Sequence, residues 1–112
     1  MTADEPEPIR QIAAPELKAL MDSSAPIELV DVRTEEECAI ARIEGFRLLD
    51  QALHDALLLR SKDTAIVFQC HHGIRSQYAA EYFRSKGFRN LYNLSGGIDA
   101  WSRLVDPSLA RY

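Results

Sequence analysis

The chain has 112 residues, 46% of them hydrophobic, with a formal net charge of −4. That length admits one compact domain, and the composition is that of an ordinary globular protein. Asp4, Glu5 and Glu7 supply three of the net negative charges, which leaves a nearly neutral body without the basic stripe that nucleic-acid binding requires. No apolar run is long enough for a membrane span. Two cysteines, Cys38 and Cys70, are too few for a disulfide framework and stand in no metal-ligand spacing.

Residues 1–8 are acidic and Pro-rich, unlike a secretion signal. They are expected to form a disordered lead-in, and the expected location is cytoplasmic. The domain proper is expected over 9–105, with a short tail over 106–112. Ile9–Ile12 fits a first strand. Pro15–Met21 fits a helix with Leu17, Leu20 and Met21 on one face, closed by Asp22-Ser-Ser-Ala-Pro26. Ile27–Val32 is an apolar strand of the type covered on both faces. Thr34 through Glu37 is a capping-box sequence that opens a short helix.

Gly45 marks a turn into a short strand, Phe46–Leu49. Asp50 caps a helix over Gln51–Arg60 that turns Leu53 and Leu57 inward. Thr64–Phe68 is a buried strand, and Ser76–Lys86 is a helix with Ala79, Ala80 and Phe83 on one face and Gly87 as terminator. Leu91–Leu94 is the last strand. Ser95-Gly96-Gly97 turns into a final helix, Ile98–Leu104, whose Trp101 belongs to the core. Alternating strands and helices imply an α/β fold: a mostly parallel five-stranded sheet with helices on both faces and its site at the C-terminal ends of the strands.

That rule directs attention to Gln69-Cys70-His71-His72-Gly73-Ile74-Arg75-Ser76, a cysteine between a strand and a helix. Backbone N–H groups of such a loop, with the positive end of the helix, stabilise an anion, here the Cys70 thiolate. Cys70 is the candidate nucleophile. Arg75 offers a fork of donors to an anionic substrate. Gly73, Ile74 and Ser76 contribute backbone to the cradle, with Ser76 capping the helix or bonding the loop. His71 and His72 either ring the pocket mouth or contribute only their backbone N–H groups; they are too crowded along the chain for a zinc site. Asp31 and Arg33 are expected as scaffold beside the loop, Asp31 accepting loop N–H bonds and Arg33 pairing with an acid such as Glu37. Cys38 is a packing residue or, alternatively, a resolving thiol.

Three stretches in order, Leu29-Val30-Asp31-Val32-Arg33, Cys70 through Ser76, and Asn93 through Trp101, make the chain resemble a single-domain rhodanese over roughly residues 9 to 104. The resemblance implies a rhodanese-like fold and a sulfurtransferase without cofactor or metal. It implies a thiosulfate-like donor, a Cys70 persulfide, and cyanide, a thiol or a protein cysteine as acceptor. Four residues separate Cys70 from Arg75, one fewer than in cysteine phosphatases of related fold, and no general acid is evident. A small phosphatase or arsenate reductase and a non-catalytic binding module remain the competing readings. The chain departs from the family pattern at Arg42 and Glu44, where relatives usually carry His and Pro.

Overall fold

The structure, a computed structural model, describes residues 8–112. The disorder expected at the N-terminus falls almost wholly on residues 1–7, outside the described residues. Five strands and five helices alternate: β1 (Arg10–Ile12), α1 (Ala14–Asp22), β2 (Ile27–Asp31), α2 (Glu35–Ile40), β3 (Arg47–Leu48), α3 (Gln51–Leu58), β4 (Ala65–Gln69), α4 (Ile74–Ser85), β5 (Leu91–Leu94) and α5 (Gly97–Leu104). All pairings are parallel, in the order β1-β5-β4-β2-β3, so each connection crosses a face of the sheet.

Alternation along the central strands feeds two cores. Ile66 and Phe68 of β4 pack with Val30, Leu53, Leu57, Ala80, Phe83, Phe88 and Leu91, against α3 and α4. Val67 turns the other way, to Ile12, Leu17, Leu94, Ile98 and Trp101, against α1 and α5. The α/β expectation and the covered parallel sheet both hold. Among the described residues no helix is long and apolar enough to cross a membrane.

The caps form as the sequence implies. Thr34 accepts the Glu37 N–H at 3.1 Å while Glu37 accepts the Thr34 N–H at 3.2 Å, and Asp50 accepts the Leu53 N–H at 2.8 Å. One boundary differs with consequence: α4 begins at Ile74, two residues before the expected Ser76. Gly73 takes φ 99°, a left-handed conformation that lets the chain enter the helix at once. The loop that carries Cys70 is therefore only residues 70–73. It projects from the C-terminal end of β4, between β2 and β5.

Candidate functional site

The loop amides face inward because its carbonyls are held outward. The N-terminus of α5 does this: Ile98 N–H donates to the Cys70 carbonyl at 2.8 Å, and Asp99 N–H to the His71 carbonyl at 3.1 Å. Those α5 donors have no partner within their own helix. Gly97 makes the approach possible. A Cβ there would collide with the Cys70 carbonyl and lie 2.6 Å from the His71 carbonyl carbon. Gly97, at the end of the Ser95-Gly96-Gly97 turn, thus allows a close backbone approach to the Cys70 loop.

The Cys70 sulfur receives the Gly73 N–H at 3.1 Å and the Ser76 N–H at 3.4 Å, and lies 3.2 Å from the Ser76 hydroxyl. Cys70 is only 1% exposed, yet polar hydrogen-bond partners rather than hydrocarbon alone surround its sulfur. Burial pushes the thiol up. The Ser76 hydroxyl, then the Ser76, Gly73 and His72 amides, push it down further, so that it titrates below an ordinary thiol. Ser76 is the third residue of α4 and does not cap it; its hydroxyl bonds the site instead. Ile74 and Arg75 are the first two residues of the helix, and their N–H groups have no acceptor within it.

Arg75 is held from α2. Its Nη1 and Nη2 donate to Glu37 Oε1 and Oε2 at 2.7 and 2.9 Å, a two-point grip. Arg75 first among the causes, and then Tyr112 and the Thr34 amide, hold the Glu37 carboxyl well below the usual carboxylate range despite its partial burial. Two contacts differ from those expected. Arg33 pairs not with the Glu37 carboxylate but with Asp31, through Nε at 3.0 Å and Nη2 at 2.8 Å. Asp31 in turn accepts the Arg33 N–H at 3.0 Å rather than the amides of the Cys70 loop. Asp31, the last residue of β2, and Arg33, two residues on, close this ring on themselves, which leaves Glu37, in the first turn of α2, for Arg75. The Asp31–Arg33 pair is buried, 3% and 0% exposed at the side chains. Arg33 also donates to the Ala41 carbonyl at 2.9 Å, fixing the segment that carries Arg42 and Glu44. Both of those side chains are exposed, and the turn forms without the family's usual His and Pro.

Cys38 is half-buried beside this pair, 3.6 Å from Asp31 Oδ2 and 3.7 Å from Arg33 Nη2. Burial and then the Asp31 charge push its thiol up, the reverse of what a reactive cysteine needs.

Tyr112 was not singled out by any motif. Its hydroxyl donates to Glu37 Oε2 at 2.8 Å and accepts from Arg33 Nη1 at 2.9 Å. Its ring stacks on His71, with centroids 3.9 Å apart and planes 6° from parallel. His72 is exposed and tilts against His71. His71, His72 and Asp99 bring three ligand-type atoms within 4.8 Å of one another. Both Asp99 oxygens, however, take guanidinium groups, from Arg111 at 3.1 Å and Arg103 at 3.2 Å. Two fixed positive charges oppose a dication there. Asn93 is likewise outside the expected site residues. It lies on β5, and its side chain bonds the Ser76 hydroxyl at 2.5 Å and the Gly73 carbonyl at 3.0 Å. Its place in the Asn93-to-Trp101 stretch was the available signal; Tyr112 had none.

Residues 13–104 match the family described as Rhodanese-like domain. The chain is 34% identical over 100 residues to thiosulfate sulfurtransferase GlpE of Pseudomonas aeruginosa, covering 88% of each chain. It is 34% identical to a Rhodanese-like/PpiC domain-containing protein 12, chloroplastic, of Arabidopsis thaliana, but spans only 39% of that longer relative. Among solved structures it superposes on a rhodanese-like domain protein from Staphylococcus aureus with a TM-score of 0.73 at 31% identity, over 93% of this chain and 99% of that one.

Proposed function

Since the chain belongs to the Rhodanese-like domain family, we propose that it is a thiosulfate-type sulfurtransferase that carries sulfur on Cys70. The observation that carries this reading is the ring of N–H donors from Gly73 and Ser76 on a sulfur that titrates low. The Cys70 thiolate attacks the outer sulfur of thiosulfate, a Cys70 S–S bond forms, the sulfur–sulfur bond of the donor breaks, and sulfite leaves with the electron pair. Charge balances without a proton, since a monoanion and a dianion give a persulfide anion and a dianion. Cyanide or a thiolate then takes the outer sulfur and returns the Cys70 thiolate. No outside oxidant or reductant enters either step, and none of the chain's residues needs a metal to perform it.

The chain's parts divide the work. Gly73 and Ser76 amides bond the inner sulfur, and the N–H groups of Ile74 and Arg75 stand next along the helix for the outer one. Arg75 has five N–H groups, of which Glu37 takes two, so donors remain for the anionic end of the donor molecule. Asp31 and Arg33 hold the β2 end and the 41–46 turn; they support the site and touch no reacting atom. In this reading His71 and His72, the loop side chains that follow Cys70, meet the arriving acceptor.

Intact mass after thiosulfate treatment tests the reading. The expected result is a gain of one sulfur, lost on adding cyanide and absent in Cys70→Ala. Hydrolysis of an aryl phosphate with no sulfur uptake would instead favour the phosphatase reading. Neither reaction, with an unaltered cellular role for Cys70→Ser, would favour a binding module.

A further inference from the structure

The Ser76 hydroxyl has one proton and two neighbours able to accept it. On one side is the Cys70 sulfur at 3.2 Å; on the other is Asn93 Oδ1 at 2.5 Å. Which one receives the proton is decided by a chain of hydrogen bonds leading away from the site. Asn93 Nδ2 donates to the Gly73 carbonyl at 3.0 Å and to Gln11 Oε1 at 2.9 Å. Gln11 Nε2 donates to Gln77 Oε1 at 2.8 Å, and Gln77 Nε2 to Glu81 Oε2 at 3.1 Å. A carboxylate and a peptide carbonyl accept only. Glu81 therefore requires the nitrogen of Gln77 to face it, which sets Gln11, which sets Asn93. The Gly73 carbonyl requires the same Asn93 orientation independently. The amide cannot flip without losing an acceptor at one end or the other, so its oxygen faces Ser76.

Asn93 Oδ1 thus claims the Ser76 proton, and the Ser76 lone pairs face Cys70. That arrangement suits a thiol, whose S–H donates to Ser76. It does not suit a thiolate, which needs the hydroxyl to turn and donate. We propose that Asn93 is a positioning residue that competes with the Cys70 sulfur for the Ser76 hydroxyl proton, releasing it to the thiolate and reclaiming it when sulfur is loaded. The proposal rests on Cys70 being the sulfur carrier. In the persulfide the negative charge moves to the outer sulfur, and the inner one, now bonded to two atoms, is a poor acceptor. The hydroxyl then returns to Asn93. When the acceptor removes the outer sulfur, negative charge comes back to Cys70 and the hydroxyl follows it. One rotation of one hydroxyl tracks the charge through both half-reactions, and both of its resting positions are hydrogen-bonded.

The test reads Cys70 ionisation, which does not depend on sulfur transfer. The pH profile of Cys70 alkylation by iodoacetamide, resolved by peptide mass, is measured for the full chain and for Ser76→Ala, Asn93→Ala and the double variant. Asn93→Ala is expected to lower the midpoint, giving about three- to tenfold more thiolate on the acid side, the size of one redirected hydrogen bond. Ser76→Ala is expected to raise the midpoint, and on that background Asn93→Ala should have no lowering effect. A role for Asn93 in merely holding the loop through Gly73 predicts the opposite sign, a raised midpoint with or without the hydroxyl, and that result overturns the proposal. The unsubstituted protein provides a second measurement should Asn93→Ala not fold. The Asn93 side-chain carbonyl carbon, followed by NMR, should shift with the Cys70 midpoint and return to its acid-side position after thiosulfate loading. A carbonyl that stays still through the Cys70 titration also overturns the proposal. Failure to load sulfur, with the titration behaving as described, would instead count against the sulfurtransferase reading.

Discussion

Glu37 shows how much one side chain can organise. It closes the capping box of α2, grips Arg75 with both oxygens and accepts from Tyr112. A carboxyl whose folded-state titration lies below its unfolded value stabilises the protein above the ordinary carboxylate range. That contribution is lost as pH falls from there toward the folded value. Arg75 is 46% exposed at its side chain, so solvent screens the pair, and Glu37→Gln should cost only about 1 kcal/mol at neutral pH. The difference from the unsubstituted chain should shrink toward zero as pH drops below about 4. Urea midpoints across that range measure it, and a gap that persists in acid would mean the carboxylate charge is not responsible. Arg75→Ala leaves Glu37 without its main partner and removes the spare donors. It should raise the KM for thiosulfate about tenfold, the scale of one charge-assisted hydrogen bond, with a smaller change in kcat.

At the scale of elements, the decisive contact lies between the Cys70 loop and the start of α5, and glycine substitutions rank it. Gly97 and Gly87 both have positive φ, 58° and 99°. At Gly87 an added Cβ meets only flexible Lys62 carbons at 3.9 Å, so Gly87→Ala costs backbone strain alone, about 1 kcal/mol. At Gly97 the obstacle is the backbone of Cys70 and His71, which cannot swing aside. Gly97→Ala should cost about 2–4 kcal/mol in chemical denaturation. It should also carry the Cys70 alkylation midpoint upward, because the loop carbonyls lose their α5 donors and the amides turn. Equal costs at the two glycines would show that the α5 contact does not shape the loop. The sequence already pointed at this region: five strands, the loop cysteine and the tight Gly96-Gly97 turn were all legible from period, apolar runs and residue type. What it hid was partner choice. A strand-end Asp, an Arg two residues on and a capping Glu are all visible in the chain. Only the direction of β2 relative to α2 decides that Asp31 takes Arg33 and Glu37 takes Arg75. The early start of α4 was hidden for a related reason. His72-Gly73-Ile74 reads as loop until Gly73 is seen to enter the helix from the left-handed region.

At the scale of the whole molecule, the residues after α5 turn back to the end of the sheet that carries the site. Ser102 donates to the Leu109 carbonyl at 3.0 Å, Arg111 pairs with Asp99 at 3.1 Å, and Tyr112 lies on His71. Residues about forty positions apart, Tyr112 and the Cys70 loop, therefore share one hydrogen-bonded and stacked unit with α2. No sequence period announces such a contact, because a single tyrosine beyond a Pro-marked helix end has no pattern around it. Its two modes of attachment can be separated. Tyr112→Phe keeps the ring over His71 and loses the bonds to Glu37 and Arg33, and it should cost about 1 kcal/mol. Tyr112→Ala loses the ring as well and should cost about 1 kcal/mol more, the value of one stacked aromatic pair. Amide hydrogen exchange at His71 and His72 is the measurement that places the effect. Protection there should fall in Tyr112→Ala and hold in Tyr112→Phe, since the ring and not the hydroxyl covers His71. Global unfolding contributes equally at all slow amides, so loss confined to the loop would assign the tyrosine to local order of the site. If protection at His71 were unchanged in both variants, the carboxy-terminal segment would have no part in holding the loop.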